Sequence, residues 1–238
     1  MSRQVAVILA IGSTNSPQAA KAATSTIPIV FAVGTDPVAT GLVSNLRRPE
    51  ANLTGVTTNG PALAPKRLEI LRELLPGRTS IGYLRNPANP FDTDMTDLMA
   101  AARSLGLQIS VFTANTDREL LSAFQSMAQQ QLAGLVVSID ASLATRANLI
   151  GALAAHHAIP TISSGRSYVL AGGLISYSPR RLEIDELAGI YAGRILKGDK
   201  PADLPVVLPT KFELVLNLKI AKELSSPCHQ RCSPWQTR

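Results

Sequence analysis

Short apolar, β-branched segments recur along the chain, with polar and turn-forming residues between them. They begin about 25 residues apart, the length of one strand followed by one helix in an alternating fold. The segments predict strands at residues 5–11, 27–33, 53–57, 80–84, 108–112, 134–139 and 159–162.

Three of these segments, VAVIL, IPIVFAV and GLVVSI, are apolar at nearly every position. Strands that are buried on both faces of a parallel sheet require this pattern. Helical signals lie between the strands. Ser16 before Pro17 indicates an N-cap with proline at the first helical position, and Thr116 with Glu119 indicates a capping box. The sequence therefore predicts an α/β fold with parallel sheets.

Three stretches rich in Gly and Pro, at residues 57–65, 170–181 and 197–205, interrupt this alternation. Three breaks predict a chain that crosses three times between two lobes, as in a hinge. The predicted first lobe comprises residues 1–57 and 173–205. The second comprises 58–172 and 206–224, followed by an irregular tail at 225–238.

Candidate binding residues lie in the loops that follow the strands, where ligands bind in open parallel sheets. These loops span residues 12–17, 34–37, 85–90, 138–142 and 163–167. Backbone N–H groups at a helix start, with hydroxyls beside them, suit a carboxylate. Ser13, Thr14 and Ser16 are the first candidates, although serine and threonine before a helix are also ordinary N-caps.

Two aspartates and a tyrosine have two interpretations each. Asp36 and Asp140 follow different strands and either bind a ligand ammonium group across a cleft or serve as turn and N-cap residues. Tyr177 lies beside the second break and either closes an apolar wall over a ligand or belongs to the core.

Composition narrows the function classes. The 238 residues are 45% hydrophobic and 17% charged, which is typical of a globular chain. The net charge of +6 is scattered, without the basic and aromatic clusters that nucleic-acid binding favours. No nucleotide-binding, metalloprotease or hydrolase motif occurs, so neither an enzyme nor a cofactor is expected. No apolar stretch is long enough to predict a transmembrane segment.

Histidines and cysteines give little sign of a metal site. His156 and His157 lie near the end of a helical pattern and are interpreted as helix-end residues. The only two cysteines, Cys228 and Cys232, flank His229 in the tail, and a metal site there would need one more ligand.

Several segments resemble the substrate-binding proteins of ABC transporters, the family of bacterial tryptophan- and phenylalanine-binding lipoproteins. They span residues 16–224 and include VGTDPVATGLV, KRLEILRELLPG, RNPANP, AGGLISY and LPTKFELVLNLKIAKEL. The resemblance implies the periplasmic-binding type I fold, with two Rossmann-like lobes and a small organic ligand, such as an amino acid, held between them for an ABC permease. It adds Thr35, Asn86, Asn89 and Ser138 to the candidate ligand-binding residues.

The chain departs from this family at both ends. Family members usually begin with an export signal and two further strand-helix units before the strand at 5–11, so we expect an incomplete first lobe. After Leu224, SSPCHQRCSPWQTR replaces the usual apolar helix. The resemblance implies a periplasmic or lipid-anchored protein, whereas the sequence as written shows no export signal and predicts a cytoplasmic one.

Three alternatives remain open. The sensor core of a LacI-like regulator has the same architecture but is expected to follow a helix-turn-helix headpiece, which the sequence does not show. An enzyme on a related scaffold would need catalytic groups that the motif search did not find. A truncated gene product without function is also compatible with the sequence.

Overall fold

The computed structural model describes residues 5–49, 51–58, 60–90 and 94–224. The predicted tail at 225–238, with Cys228, His229 and Cys232, lies outside them. The strands are β1 (Ile8–Ile11), β2 (Ile29–Val33), β3 (Leu53–Thr57), β4 (Ser80–Arg85), β5 (Gln108–Thr113), β6 (Gly134–Val137), β7 (Thr161–Ser163), β8 (Ile175–Pro179) and β9 (Phe212–Leu216). The helices are α1 (Asn15–Ala23), α2 (Gly60–Leu74), α3 (Asp94–Leu105), α4 (Asp117–Gln129), α5 (Ala141–Thr145), α6 (Ala147–His156), α7 (Arg166–Leu170), α8 (Arg181–Leu196) and α9 (Leu218–Glu223).

The chain divides into two compact units. Unit 1 contains the described residues up to Pro61 together with Pro179–Phe212, and unit 2 contains Ala62–Ser178 and the described residues from Glu213 onward. The chain therefore passes from one unit to the other three times.

The unit boundaries differ from those predicted for the lobes. Residues 173–178, predicted in the first lobe, belong to unit 2 because β8 pairs with β7, with Ser163 opposite Ser176. Residues 206–212, predicted in the second lobe, belong to unit 1 because Val207 bridges Val56 of β3. Because residues 170–181 are rich in Gly and Pro, strand β8 within them was not predicted from the sequence.

Unit 1 is built on a parallel sheet in the order β1-β2-β3. Every residue of β2 is buried, which explains its uninterrupted apolar sequence. Val30 packs against the inner face of α8, including Tyr191 and Ile195. Phe31 packs on the opposite face with Leu42 and Val43. The sheet is thus covered on both faces at its centre.

Unit 2 contains a six-stranded sheet in the order β5-β4-β6-β7-β8-β9. The pairs from β5 to β8 are parallel. One face packs against α2, α3 and α9 through residues such as Leu68, Leu98 and Ala221. The other face packs against α4, α6 and α7 through Phe124, Ile150 and Tyr168. The predicted α/β fold with parallel sheets is confirmed.

Of the two predicted helix starts, that of α4 is confirmed and that of α1 is not. The capping box of α4 is confirmed, because the Thr116 side chain accepts from the backbone N–H of Glu119 and the Glu119 carboxylate accepts from the N–H of Thr116. The N-cap at Ser16 is wrong, because α1 starts at Asn15 after Thr14. Pro17 is tolerated within this first turn, where backbone N–H groups have no intrahelical partner.

None of the helices in the described residues combines the length and apolar character needed to cross a lipid bilayer.

Candidate functional site

Four of the predicted residues lie together at the carboxyl ends of β1 and β2. Thr14 and Thr35 share a hydrogen bond of 2.9 Å between their Oγ1 atoms, and Ser13 and Ser16 share one of 3.2 Å between their Oγ atoms. They meet because β1 and β2 are parallel neighbours and each strand leads into a polar loop. We call Ser13, Thr14, Ser16 and Thr35 the hydroxyl cluster.

The chain turns from β1 toward α1 at Gly12, whose φ of 105° lies in a region that favours glycine. Thr14 then occupies the N-cap position of α1. Its side chain makes no capping hydrogen bond with the described helix, and no acidic residue lies in the first turn. Neither the Thr14 side chain nor a first-turn carboxylate therefore satisfies the N–H groups at this helix start, where the helix dipole is positive.

Thr57, at the end of β3, supports the hydroxyl cluster from the neighbouring strand. Its Oγ1 donates to the Thr35 carbonyl oxygen at 2.8 Å, and Thr57 is buried. Thr57 was predicted as the end of a strand and the start of the first break, and not as part of a binding site. A polar β-branched residue at the carboxyl end of a buried strand was the available signal.

Asp36 follows Thr35, and its side chain stabilises the turn that begins at Asp36. Its Oδ1 accepts from the backbone N–H groups of Val38 and Ala39 at 2.8 and 3.3 Å. This is the geometry of a turn-capping aspartate, one of the two interpretations given to Asp36.

In unit 2, Asn86 and Asp140 lie together at the carboxyl ends of the adjacent strands β4 and β6. The Asn86 Nδ2 atom is 3.2 Å from both carboxylate oxygens of Asp140 and donates to them. Asn86 is buried, and Asp140 is partly exposed. We call these residues the Asn86–Asp140 pair.

The remaining hydrogen bonds of the pair orient it. Asp140 is the N-cap of α5, with Oδ1 accepting from the Leu143 N–H at 2.9 Å, and Asn86 Oδ1 accepts from the Ala88 N–H at 2.9 Å. Both side chains are thus fixed by backbone groups. A partly exposed carboxylate held in this way suits a cationic group.

The other two candidates of unit 2 loops have backbone roles beside the pair. The N–H of Ser138 donates to the Leu84 carbonyl oxygen, and the N–H of Asn89 donates to that of Asn86. Ser138 is buried, whereas Asn89 is partly exposed. Both residues therefore lie in the loops that carry the pair.

Tyr177 lies apart from the pair, on β8. Its ring packs against the core cluster under α2 and α3, and its carbonyl oxygen accepts from the Arg67 Nε at 2.9 Å. Arg67 is only 1% exposed, and sequence analysis missed it. Its spacing was the signal, because position 67 falls on the helical face of Ala64, Leu68 and Leu71.

Three buried serines of β7 and β8 were also missed as individual residues. Ser163 ends β7 and lies opposite Ser176 of β8, and Ser178 lies near the end of β8. Ser163 donates to the Val137 carbonyl oxygen at 3.3 Å. The Ser176 Oγ has no hydrogen-bond partner among the described residues. Hydroxyls at buried strand positions are therefore a recurring feature of β7 and β8.

His156 and His157 end α6, in agreement with their interpretation as helix-end residues. Their rings meet edge to face, and His157 stacks on Phe124 with centroids 6.3 Å apart. The described residues contain no group of three or more His, Cys, Asp or Glu placed to hold a metal ion.

Comparison with protein-family models gives a match to one family. The model described as ABC transporter substrate binding protein matches residues 1–232.

One curated relative is a tyrosine-binding protein from Clostridioides difficile. It is 29% identical over 213 residues, which make up 89% of this chain and 61% of the relative. The chain therefore spans less than two thirds of the length of this relative.

Two solved structures are similar over most of the chain. An ABC domain from Streptococcus pneumoniae in complex with L-Trp has a TM-score of 0.84 and 28% identity, covering 94% of this chain and 77% of that one. A conserved domain protein from Vibrio cholerae has a TM-score of 0.85 and 30% identity, with coverages of 94% and 74%. Structures of LacI-type regulators, such as one from a Rhodococcus species with 16% identity and a TM-score of 0.63, share the fold.

Proposed function

Because this chain belongs to the family of ABC transporter substrate binding proteins, we propose that it binds an amino acid for delivery to an ABC permease. The observation that carries the proposal is the uncapped start of α1, with the hydroxyl cluster beside it. The proposal concerns binding and delivery and includes no catalytic step.

The hydroxyl cluster supports recognition of a carboxylate. Thr14 is 8% exposed and shares its hydrogen bond with Thr35, so its hydroxyl is held in place without capping the helix. A carboxylate at this position would accept from backbone N–H groups and hydroxyls and would interact favourably with the helix dipole. A neutral sugar would gain nothing from the dipole.

The Asn86–Asp140 pair supports recognition of an ammonium group. Asp140 carries the negative charge, and Asn86 together with the Leu143 N–H fixes its carboxylate. Since Asn86 and Leu143 contribute no charge, Asp140 retains its attraction for a cation.

The relatives favour an aromatic amino acid. The curated relative is a tyrosine-binding protein, and the similar Streptococcus pneumoniae structure contains L-Trp. We therefore place tryptophan, tyrosine and phenylalanine first among the ligands to be tested. The LacI-type structures are too distant in sequence to favour a regulatory function, since their likeness concerns the fold alone.

Isothermal titration of the purified chain tests the proposal. We expect L-Trp, L-Tyr or L-Phe to bind with micromolar or lower dissociation constants, equivalent to about 8 kcal/mol. Tryptamine, which lacks the carboxylate, and indole-3-propionate, which lacks the ammonium group, should each bind at least about tenfold more weakly than L-Trp. A folded chain that binds none of the three amino acids would refute the proposal.

Substitution of Asp140 tests the ammonium role. We expect Asp140→Asn to weaken binding of the amino acid while leaving the affinity for indole-3-propionate nearly unchanged, because that ligand has no ammonium group. Asp97→Asn, an exposed aspartate on α3 in the same unit, is the matched control. Equal losses for both ligands would indicate that Asp140 acts only by holding its loop.

A further inference from the structure

Asp140, to which the ammonium role is assigned, lies on a helix that is too short to be stable by itself. Helix α5 has five residues, Ala141–Thr145, and Asp140 is its N-cap. Isolated helices of this length are unstable in water, because ordering the first turn costs more conformational entropy than its hydrogen bonds offset. Among the five residues of α5, only Leu143 is buried. The orientation of Asp140 therefore depends on the contacts that hold α5 in place.

Arg146, at the end of α5, connects this helix to the start of α4. Its Nη1 donates to the Ser142 carbonyl oxygen at 3.0 Å and to the Ser142 Oγ at 2.7 Å. Its Nε donates at 2.8 Å to Oδ1 of Asp117, the first residue of α4. The Ser142 Oγ in turn donates to the Asn115 Oδ1 at 3.4 Å. Because the guanidinium group is planar and rigid, the bonds to Ser142 and Asp117 fix α5 relative to α4.

The charges of this contact also act on Asp140. Asp140 and Arg146 cap the two ends of α5, about 9 Å apart along the helix axis, which is about one Debye length at physiological ionic strength. An unneutralised guanidinium group at this distance would repel a ligand ammonium group bound at Asp140. Asp117 neutralises Arg146, whose side chain is 29% exposed. The helix therefore has the hydrogen bonds of an arginine without an added net charge.

We propose that Arg146 is a positioning residue for Asp140, with Asp117 as its counter-ion, and that this ion pair sets the selectivity for ligands that carry an ammonium group. Arg146 does not touch the ligand in this role. It acts through Ser142 and α5 on the direction of the Asp140 carboxylate, whose Oδ1 accepts from the Leu143 N–H. This role rests on the proposed function, because it concerns a group of the same site.

The selectivity for an amino acid over its analogue without the ammonium group, measured by isothermal titration, tests this role. The ligand pairs are L-Trp with indole-3-propionate, L-Tyr with hydroxyphenylpropionate and L-Phe with phenylpropionate. Arg146→Gln combined with Asp117→Asn removes the ion pair without changing the net charge. We expect the selectivity to fall about threefold to tenfold. A purely structural role would instead weaken binding of both ligands equally and leave their ratio unchanged.

The matched control removes an ion pair of the same chemistry from the end of α8 in unit 1. Arg194 and Asp199 pair there at 2.6 Å, and Arg194→Gln combined with Asp199→Asn should leave the selectivity unchanged. The conservative variant Arg146→Lys should retain part of the selectivity. Lysine keeps the charge but lacks the planar fork that reaches Ser142 and Asp117 together.

Asp117→Asn alone tests the neutralising charge. The amide oxygen can still accept from Arg146, but the guanidinium group is no longer neutralised. We expect the selectivity to fall, and to fall further at about 10 mM salt than at about 500 mM salt, because salt screens the repulsion of the ligand ammonium group. A selectivity that does not change at either salt concentration would contradict the counter-ion role of Asp117.

Asp140→Asn separates the role of Arg146 from the proposed function. If none of the amino acids binds, or if Asp140→Asn leaves the selectivity unchanged, the ammonium role is wrong and the role of Arg146 is overturned with it. If Asp140→Asn lowers the selectivity and the double variant of Arg146 and Asp117 does not, only the role of Arg146 is overturned. Added to Asp140→Asn, the double variant should cause no further loss of selectivity. An additive loss would show that the ion pair acts independently of Asp140, which would also overturn this role.

Discussion

The starts of α1 and α4 use the same residue type in opposite ways. Thr116 caps α4, and Glu119 completes the capping box. Thr14 occupies the same position before α1, but its hydroxyl bonds to Thr35 and the third helical residue is Pro17, which cannot complete a box. The start of α4 is capped by its own residues, whereas the Thr14 side chain makes no capping hydrogen bond to α1. A threonine before a helix therefore does not by itself show whether it has a structural or a binding role.

Adding a carboxylate to the first turn of α1 should have the largest effect on ligand affinity. Ser16→Asp places a negative charge in the first turn, where it occupies the N–H groups and repels a ligand carboxylate. We expect the amino-acid dissociation constant to rise by about tenfold to a hundredfold, or about 1.4–2.7 kcal/mol, in isothermal titration. Ser16→Asn is the uncharged control. If both variants bind alike, the ligand carboxylate does not lie at α1.

Removing one hydroxyl from the cluster should have a smaller effect. Thr14→Val keeps the shape of the side chain and removes the hydrogen bond to Thr35. We expect a loss in affinity of up to about tenfold, equivalent to about 1.4 kcal/mol, measured by titration. Thr113→Val is the control. It makes the same substitution at an exposed residue, the last of β5, and should leave the affinity for the amino acid unchanged. A Thr14 variant with unchanged affinity would assign its hydroxyl a purely structural role.

The matching change at α4 should affect stability and not binding. Thr116→Ala removes the capping box, which should lower the free energy of unfolding by about 1 kcal/mol in urea denaturation. The ligand dissociation constant should stay the same. A change in affinity comparable to that of Thr14→Val would remove the distinction between the two helix starts.

The smallest expected effect is on acid stability. Hydrogen bonds from the backbone N–H of Asn115 and then of Thr116 lower the pKa of the Glu119 carboxyl from its ordinary value of 4.5. Because the folded pKa lies below the unfolded one, the stabilisation is present above about pH 4.5 and is lost as the pH falls through the folded pKa. Glu119→Gln should therefore flatten the fall in thermal midpoint between about pH 5 and pH 3.

The control for this pH profile is Glu73→Gln, an exposed glutamate on α2. It should retain the acid sensitivity of the parent chain. If the Glu119 and Glu73 variants give the same profile, the hydrogen bonds at α4 do not contribute to the pH dependence.

The sequence was most informative where one segment decides its own structure. The capping box of α4 needs only Thr116 and Glu119, three residues apart, and it is present as predicted. The apolar segment at β2 needs only burial on both faces, and all five of its residues are buried. At α1, Ser16 was predicted as the N-cap, but Thr14 holds that position and its hydroxyl shares a hydrogen bond with Thr35, 21 residues away.

The sequence was least informative about strands β8 and β9. Gly, Ser and Pro around Ile175–Pro179 favoured a break over a strand, but pairing with β7 and the hydrogen bond from Arg67 to Tyr177 hold this segment in the sheet. The burial of Arg67 was equally hard to predict from the sequence, because an arginine on a helix is normally exposed. Local propensity is weak beside such long-range contacts.

The sequence by itself determined the class of fold, the parallel sheets and the loops that carry the candidate residues. Hydrophobic periodicity and turn chemistry are local properties, and they suffice for that much. Only the tertiary structure decided that Thr14 bonds to Thr35, that Asn86 orients Asp140, and that Tyr177 packs in a core. These outcomes depend on which strands become neighbours in a sheet, and the free energy that selects the neighbours comes from burial distributed over the whole chain.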